Sequence, residues 1–405
     1  MYQLTFGPLR ANASAVAKRD DKSVLRCSFE DGYFDCELFF DFDERPLCLR
    51  AEACVGDRVT LVILPHRIEL WVGETLADEE WQAGTCLFAP DIPLRSDMQI
   101  ELTPYAQTQQ NAPSVLGTFR NADGWRPNKN VFVGDCMPYT HNGRYHVLYL
   151  KDRRHHTSKW GFGAHQWEHI STQDFVDWDI HPMAVEITAP HEGSICTGSW
   201  IERNGKQYLF YTVRMADRSP APILRSVSED GYHFEKDGSF GFTLPARYDG
   251  RNARDPKVIL GDDGLYHMFL TTALTQEQKG CLAHFISTDL TEWNDSGTPI
   301  YISKDETHPE CPDYFRYGDW YYLVFSLHGK AHYRYSRTPF GGWQTPKDPI
   351  IPCHNVPKAA LWNGKVVFTG YCMLKERCYA GTMCFVTATA DADGELRFDT
   401  TPCFG

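Results

Sequence analysis

From about residue 130 onward the chain repeats one pattern, a polar turn followed by a run of aromatic and β-branched residues. It occurs five times: NGRYHVLYL from Asn142, NGKQYLFYT from Asn204, DGLYHMFLT from Asp263, YGDWYYLVFS from Tyr317 and NGKVVFTGY from Asn363. Asn-Gly and Asp-Gly turns beside such runs predict β-hairpins. The turn glycines fall at 143, 205, 264, 318 and 364, at intervals of 62, 59, 54 and 46 residues. A second unit follows the first three turns: HISTQDFVDW (169–178), RSVSEDGYHF (225–234) and HFISTDLTEW (284–293). Looser copies stand at YRYSRTPFGGW (333–343) and CFVTATADADGELRF (384–398). Two hairpins per period of this size make a four-stranded blade, and repetition predicts a five-bladed β-propeller over residues 128–405.

Residues 1–110 stand outside the repeat. FDCELFFDF, LCLRAEACV, RVTLVIL and RIELWVGE read as short strands between turns, which predicts a small antiparallel β-sandwich. Residues 111–127, with the Gln- and Asn-rich stretch before them, read as a linker. The fold class is therefore all-β.

Composition narrows the function. Apolar residues make up 42% and charged residues 23%, ordinary for a folded chain, while aromatics reach 14%. That aromatic level suits strands and also a sugar-binding cleft. A formal net charge of −13 repels phosphate backbones and argues against a nucleic-acid partner. No apolar run is long enough to span a bilayer, and the N-terminus lacks the apolar core of a secretory signal. The 14 cysteines are scattered, without C-x-x-C pairs or His/Cys ligand spacing. They predict reduced thiols, a cytoplasmic protein, no metal centre and no cofactor.

Counting back from the turn glycines compares equivalent positions on the first strand of each blade, the one expected to line the axis. Eight residues before Gly143 is Asp135, eight before Gly318 is Glu310, and nine before Gly264 is Asp255. The matching residues in blades two and five are Thr197 and Val356. Three carboxylates at nearly one phase are expected to meet at one funnel, where like charges raise a pKa. A protonated carboxyl beside an ionised one is the arrangement glycoside hydrolysis needs.

Three segments carry a family resemblance: VGDCMPY around Asp135, ARDPKVI around Arg254-Asp255-Pro256, and HPECPDYF around Glu310-Cys311-Pro312-Asp313. In this order and spacing they resemble the motifs of glycoside hydrolase family 32, the invertases, inulinases, levanases and sucrose-6-phosphate hydrolases. WGFGAHQWEHISTQDFVDW (160–178) and CTGSWIERNGKQYLFYT also look like that family's segments, and the likeness covers about residues 128–345. The resemblance implies a retaining double displacement on short β-fructosides: sucrose, fructo-oligosaccharides or their phosphates. Asp135 matches the nucleophile, Glu310 the acid/base and Asp255 the transition-state stabiliser. Arg254 and Asp313 match residues that orient these carboxylates or bind substrate. Trp160 and Gln166 match the sugar subsite, and Thr197 and Ser199 offer hydroxyls from blade two. Two departures mark a divergent member: Gly134 and Cys136 flank Asp135 where the family has Asn and Pro, and the accessory domain precedes the propeller. The altered motif keeps open a propeller glycosidase for another furanoside or pentoside, such as an arabinofuranoside; a non-catalytic carbohydrate-binding propeller is the rival of a different class. The basic stretch 151–167 is expected at the funnel rim. A homo-oligomer contact is one expected use of the N-terminal domain.

Overall fold

The computed structural model describes residues 1–405 except 42, 66, 82–84, 106–112, 121–130, 158–162, 190, 221, 375–377 and 402–405, with the side chain of residue 43 also outside it. Among the described residues the protein is all-β, with 31 strands and no helix, so none is long and apolar enough to cross a membrane. All thirteen described cysteines are free. The chain divides into two compact units, Met1–Asn111 with His156–Ala164 and Ile187–Gly193, and the remainder.

In the first unit, the strands Lys22–Glu30 and Tyr33–Phe40 alternate buried with exposed positions, the signature of a sheet covered on one face. Two five-stranded sheets carry this pattern, one built around Tyr2–Phe6 and Val59–Ile63, the other around Lys22–Glu30 and Tyr33–Phe40. Leu4, Phe6, Leu61 and Leu70 of one sheet share a single apolar cluster with Leu25, Phe34, Leu38 and Leu49 of the other.

The second unit contains five successive groups of antiparallel strands. Their first strands are Phe132–His141, Glu192–Arg203, Arg254–Leu260, Glu310–Tyr317 and Asn355–Trp362. Each is followed by its hairpin partner, beginning at Arg144, Lys206, Tyr266, Trp320 and Lys365. All five predicted turn glycines have positive φ, between 60 and 79°, a conformation that costs glycine nothing. The second predicted unit is also a turn with one chemistry. The hydroxyls of Thr172, Ser228, Ser287 and Ser336 accept from backbone N–H groups two or three residues on. Asp174, Asp230 and Asp289 accept the next ones.

Three features differ from the repeat as read. Gly117–Arg120, inside the stretch that reads as a linker, is a strand paired with Asp177–Ile180 of the first group. The fourth group forms a three-stranded sheet, and two isolated bridges, Tyr335–Gln344 and His332–Ile350, stand where a fourth strand was expected, after Gly341-Gly342 and on either side of Pro346. The first and last groups are joined by one residue pair, Val133 with Gly381, which merges them into one nine-stranded sheet.

The five first strands together line one cavity of about 350 Å³, with Tyr139, Trp200, Lys257, Phe315 and Leu361 among its walls. His328 has positive φ in the turn between Trp320–Leu327 and Lys330–Ser336, and His332 stacks on Phe325.

Candidate active site

The first strands of groups one, three, four and five break their pairing at the same place. The register shifts between Val133 and Cys136, Arg254 and Lys257, Glu310 and Asp313, and Asn355 and Lys358. A bulge adds a residue, so side chains that would alternate in a regular strand can be aimed together. Asp255, Cys311 and Val356 take positive φ inside these bulges, at 58, 51 and 44°. Bulky residues adopt that conformation only where the surroundings impose it, and such positions cluster at working sites. Pro256, Pro312 and Pro357 sit in the bulges, where no ladder hydrogen bond is lost. Measured from the residue that resumes pairing, Asp135 lies one position back, Asp255 two and Glu310 three. The carboxylates are thus staggered within equivalent bulges rather than strictly in phase.

The stagger brings Asp135 and Asp255 to one sulfur. Cys311 Sγ lies 3.5 Å from Asp135 Oδ2 and 3.4 Å from Asp255 Oδ2, and the Cys311 amide donates to Asp255 Oδ2 at 3.1 Å. Asp135 accepts from Thr197 Oγ1 at 2.5 Å through Oδ2 and from the Tyr379 hydroxyl at 3.1 Å through Oδ1. Glu310 joins through Arg254, whose guanidinium is 2.7 Å from Glu310 Oε1 and 3.7 Å from Asp255 Oδ2. Asp135 and Asp255 are 7% and 4% exposed, whereas the Glu310 side chain is 53% exposed. Two carboxylates therefore lie at the floor and one at the wet rim.

Around this floor the residues that resume pairing after the bulges form an ion cluster. Lys257 Nζ is 2.5 Å from Asp313 Oδ1, and Asp313 Oδ2 accepts the Ala359 amide at 2.6 Å. Lys358 is buried, donates to the Gly198 carbonyl at 3.0 Å, and has its pKa lowered by burial. Four carboxylates (Asp135, Asp255, Glu310, Asp313) face three cations (Arg254, Lys257, Lys358). One proton more than the ordinary ionisation pattern would neutralise the cluster. Burial first, then the charges of Asp135 and Glu310, raise the pKa of Asp255 above its ordinary 3.8 despite Arg254. Burial likewise pushes the Cys311 thiol well up, and Asp255 and Asp135 push it further. Cys311 is thus a protonated donor between two carboxylates.

A raised native pKa means that the native state holds its proton to higher pH than the unfolded chain does. Ionising Asp255 therefore lowers stability as pH rises through its native pKa, and below 3.8 the effect vanishes. Asp255→Asn is expected to raise the unfolding midpoint at pH 7 while removing activity. A pH series of thermal melts checks this, because the gain should shrink as pH falls toward 4.

The remaining candidates are placed as follows. Thr197 sits on Asp135, so its hydroxyl positions a carboxylate. Ser199 is fully engaged: it donates to the Pro256 carbonyl and accepts from the Val258 amide, both at 2.9 Å, tying two first strands together. Asp313 is 0% exposed and held by Lys257 and the Ala359 amide. Gln166 is buried at the start of its strand, opposite Lys151. Trp160 and Lys159 lie outside the described residues. From the basic stretch, His155 Nδ1 is 2.5 Å from the Tyr379 carbonyl, and His165, held at 2.7 Å by Asp152, stacks on the Tyr379 ring.

Sequence reading missed Tyr379, Lys257 and Lys358. Tyr379 had no signal, because it lies beyond the first strand of group five and reaches Asp135 across 244 residues. The lysines did have one: Pro256-Lys257 and Pro357-Lys358 repeat the Pro312-Asp313 pattern. Tyr379 also accounts for Gly134. A Cβ on residue 134 would stand 2.4 Å from the Tyr379 hydroxyl, so no larger residue fits while Tyr379 is in place. Tyr379→Phe removes the hydrogen bond donated to Asp135 Oδ1 and the acceptor of the Asp135 amide, both at 3.1 Å, and about a 10–100-fold loss of turnover is expected with folding intact. Steady-state kinetics beside a thermal melt reads this directly.

An all-β unit with buried, bulge-aimed carboxylates beneath an exposed one is a constellation for acid–base and nucleophilic chemistry on a polar substrate. The pattern of the glycosyl hydrolases family 32 N-terminal domain matches residues 126–348, more than half of the chain, and the protein belongs to that family. Among curated relatives, a sucrose-6-phosphate hydrolase of Escherichia coli is 30% identical over 222 residues, 53% of this chain and 43% of that protein. One of Bacillus subtilis strain 168 is 31% identical over 235 residues, 54% of this chain and 46% of that protein. The chain thus spans about half the length of the curated relatives it matches. Among solved structures, fructan 1-exohydrolase IIa from Cichorium intybus superposes with a TM-score of 0.55 at 17% identity, over 69% of this chain and 60% of that one. A family-43 β-xylosidase/α-arabinofuranosidase from a compost microbial metagenome gives 0.54 at 16% identity, over 69% and 98%. At these identities the likeness concerns the fold.

Proposed function

We propose that this chain is a retaining glycoside hydrolase that releases fructose from short β-fructosides, on a five-bladed β-propeller over residues 128–405. An N-terminal β-sandwich over 1–110 and a connection over 111–127 precede the propeller. The observation that carries the reading is the placement of Asp135 and Asp255 on either side of the Cys311 thiol, with exposed Glu310 tied to them through Arg254. Asp135 is the nucleophile: Thr197 and Tyr379 hold its two oxygens, which fixes its attack direction. Glu310 is the acid/base, since only the exposed carboxyl can meet both a leaving group and the following water. Asp255 holds sugar hydroxyls as positive charge develops on the ring.

Support for the substrate class comes from the relatives named sucrose-6-phosphate hydrolase and from a fructan exohydrolase of this fold solved with 1-kestose. The Gly134–Tyr379 arrangement around Asp135 gives reason to test a second furanoside. A panel of sucrose, sucrose 6-phosphate, 1-kestose and an aryl arabinofuranoside, scored by released sugar, decides. Fructose from at least one of the first three is expected; turnover of the arabinofuranoside alone would replace the fructoside reading.

A further inference from the structure

Three histidines of the first strand group meet in its interior, well separated in sequence and outside the carboxylate site. His146 lies on the strand Arg144–Asp152, His169 on Gln166–Thr172, and His181 just after Asp177–Ile180. They are 3%, 0% and 1% exposed, and one ring nitrogen of each lies within 4.8 Å of one from each of the others. We propose that His146, His169 and His181 form a binding site for a divalent first-row transition metal, with the Tyr139 hydroxyl at its edge.

The hydrogen bonds of the rings support this. His181 Nδ1 donates to the Ser114 carbonyl at 2.6 Å, so Nε2 carries the lone pair; it accepts the Ser171 hydroxyl at 2.7 Å, a bond that a metal would displace, and Ser171 Oγ itself accepts from Arg144 Nε at 2.9 Å. The His146 ring also bonds the backbone of His141. Outer bonds to backbone carbonyls orient metal-ligating imidazoles in this way. His169 Nε2 is 3.0 Å from His146 Nδ1 and 3.2 Å from the Tyr139 hydroxyl, while its Nδ1 is buried with no hydrogen-bond partner. If Nε2–H donates to His146, that Nδ1 is a bare lone pair in a dry interior. Imidazole and phenol donors suit Zn²⁺, Co²⁺, Ni²⁺ or Cu²⁺ rather than Ca²⁺ or Mg²⁺. Arg144, on the same strand as His146, is paired with Asp179 and also donates to Ser171 Oγ at 2.9 Å.

The third strand group supplies an internal control. His267 and His284 occupy the same relative positions, with Nδ1 to Nε2 at 2.9 Å, and Asp263 fixes the outer nitrogen of His267. That pair is complete as an ordinary N–H···N bond. The first group adds His181, and with it a third donor.

Cobalt(II) titrated into chelator-stripped protein tests the site. One equivalent should bind with visible ligand-field absorption and no near-ultraviolet thiolate charge-transfer band. His181→Asn, which keeps a donor for Ser114, should weaken binding more than about tenfold, the least that loss of a supporting partner costs. His284→Ala should bind as wild type. X-ray absorption of cobalt in the unmodified protein should show imidazole scattering without a sulfur shell, a reading that needs no variant to fold. Absence of binding, a sulfur shell, or unweakened binding by folded His181→Asn would each overturn the proposal.

Discussion

Asp135→Asn is expected to lower kcat by at least about 10⁴-fold on the best natural substrate, as removal of a covalent nucleophile does. The change is nearly isosteric: the amide oxygen can keep one hydroxyl contact, and the amide N–H can donate to the other hydroxyl once that rotates, so stability should change little. The loss then belongs to chemistry: an amide oxygen cannot form the glycosyl ester. Retention of turnover within tenfold would place the nucleophile elsewhere. Asp135 is 7% exposed at the base of the bulged strand, so a water replacing it as nucleophile would need room that Cys311, Thr197 and Tyr379 occupy.

Glu310→Gln should behave differently. Loss of a general acid costs about 10²–10⁴-fold on a sugar leaving group, which needs the proton. On a fructoside with an aryl leaving group of low pKa, the first step needs no proton and its loss should be far smaller. The second step still needs a base, so the glycosyl-enzyme should accumulate and appear as a burst of released phenol. Equal losses on both substrates would mean that Glu310 only anchors Arg254, to which it is bonded at 2.7 Å.

Much of this is legible in the sequence, and the reason is periodicity. The five Gly turns set where each first strand ends, so counting back reaches Asp135, Asp255 and Glu310 without further knowledge. The stagger is not legible, because a bulge shifts pairing without leaving a mark in an alternation pattern; the prolines at 256, 312 and 357, each one residue before pairing resumes, hint at it. Hydroxyl roles are also hidden. Thr197 and Ser199 look alike in sequence, yet one meets a carboxylate while the other clamps two backbones. The His146, His169 and His181 cluster fails every ligand-spacing test, since spacing rules describe one loop or one strand and these rings come from three places on the chain. Tyr379 is the extreme case, a contact that only closure of the last strand group onto the first could produce.

The central claim is that Asp135 attacks the sugar and a second displacement releases it with the starting configuration. Methanol offered as acceptor traps the outcome as a methyl glycoside that cannot interconvert between anomers. Carbon-13 NMR of the product from a β-fructoside is predicted to show methyl β-fructofuranoside; methyl α-fructofuranoside would contradict a covalent intermediate on Asp135.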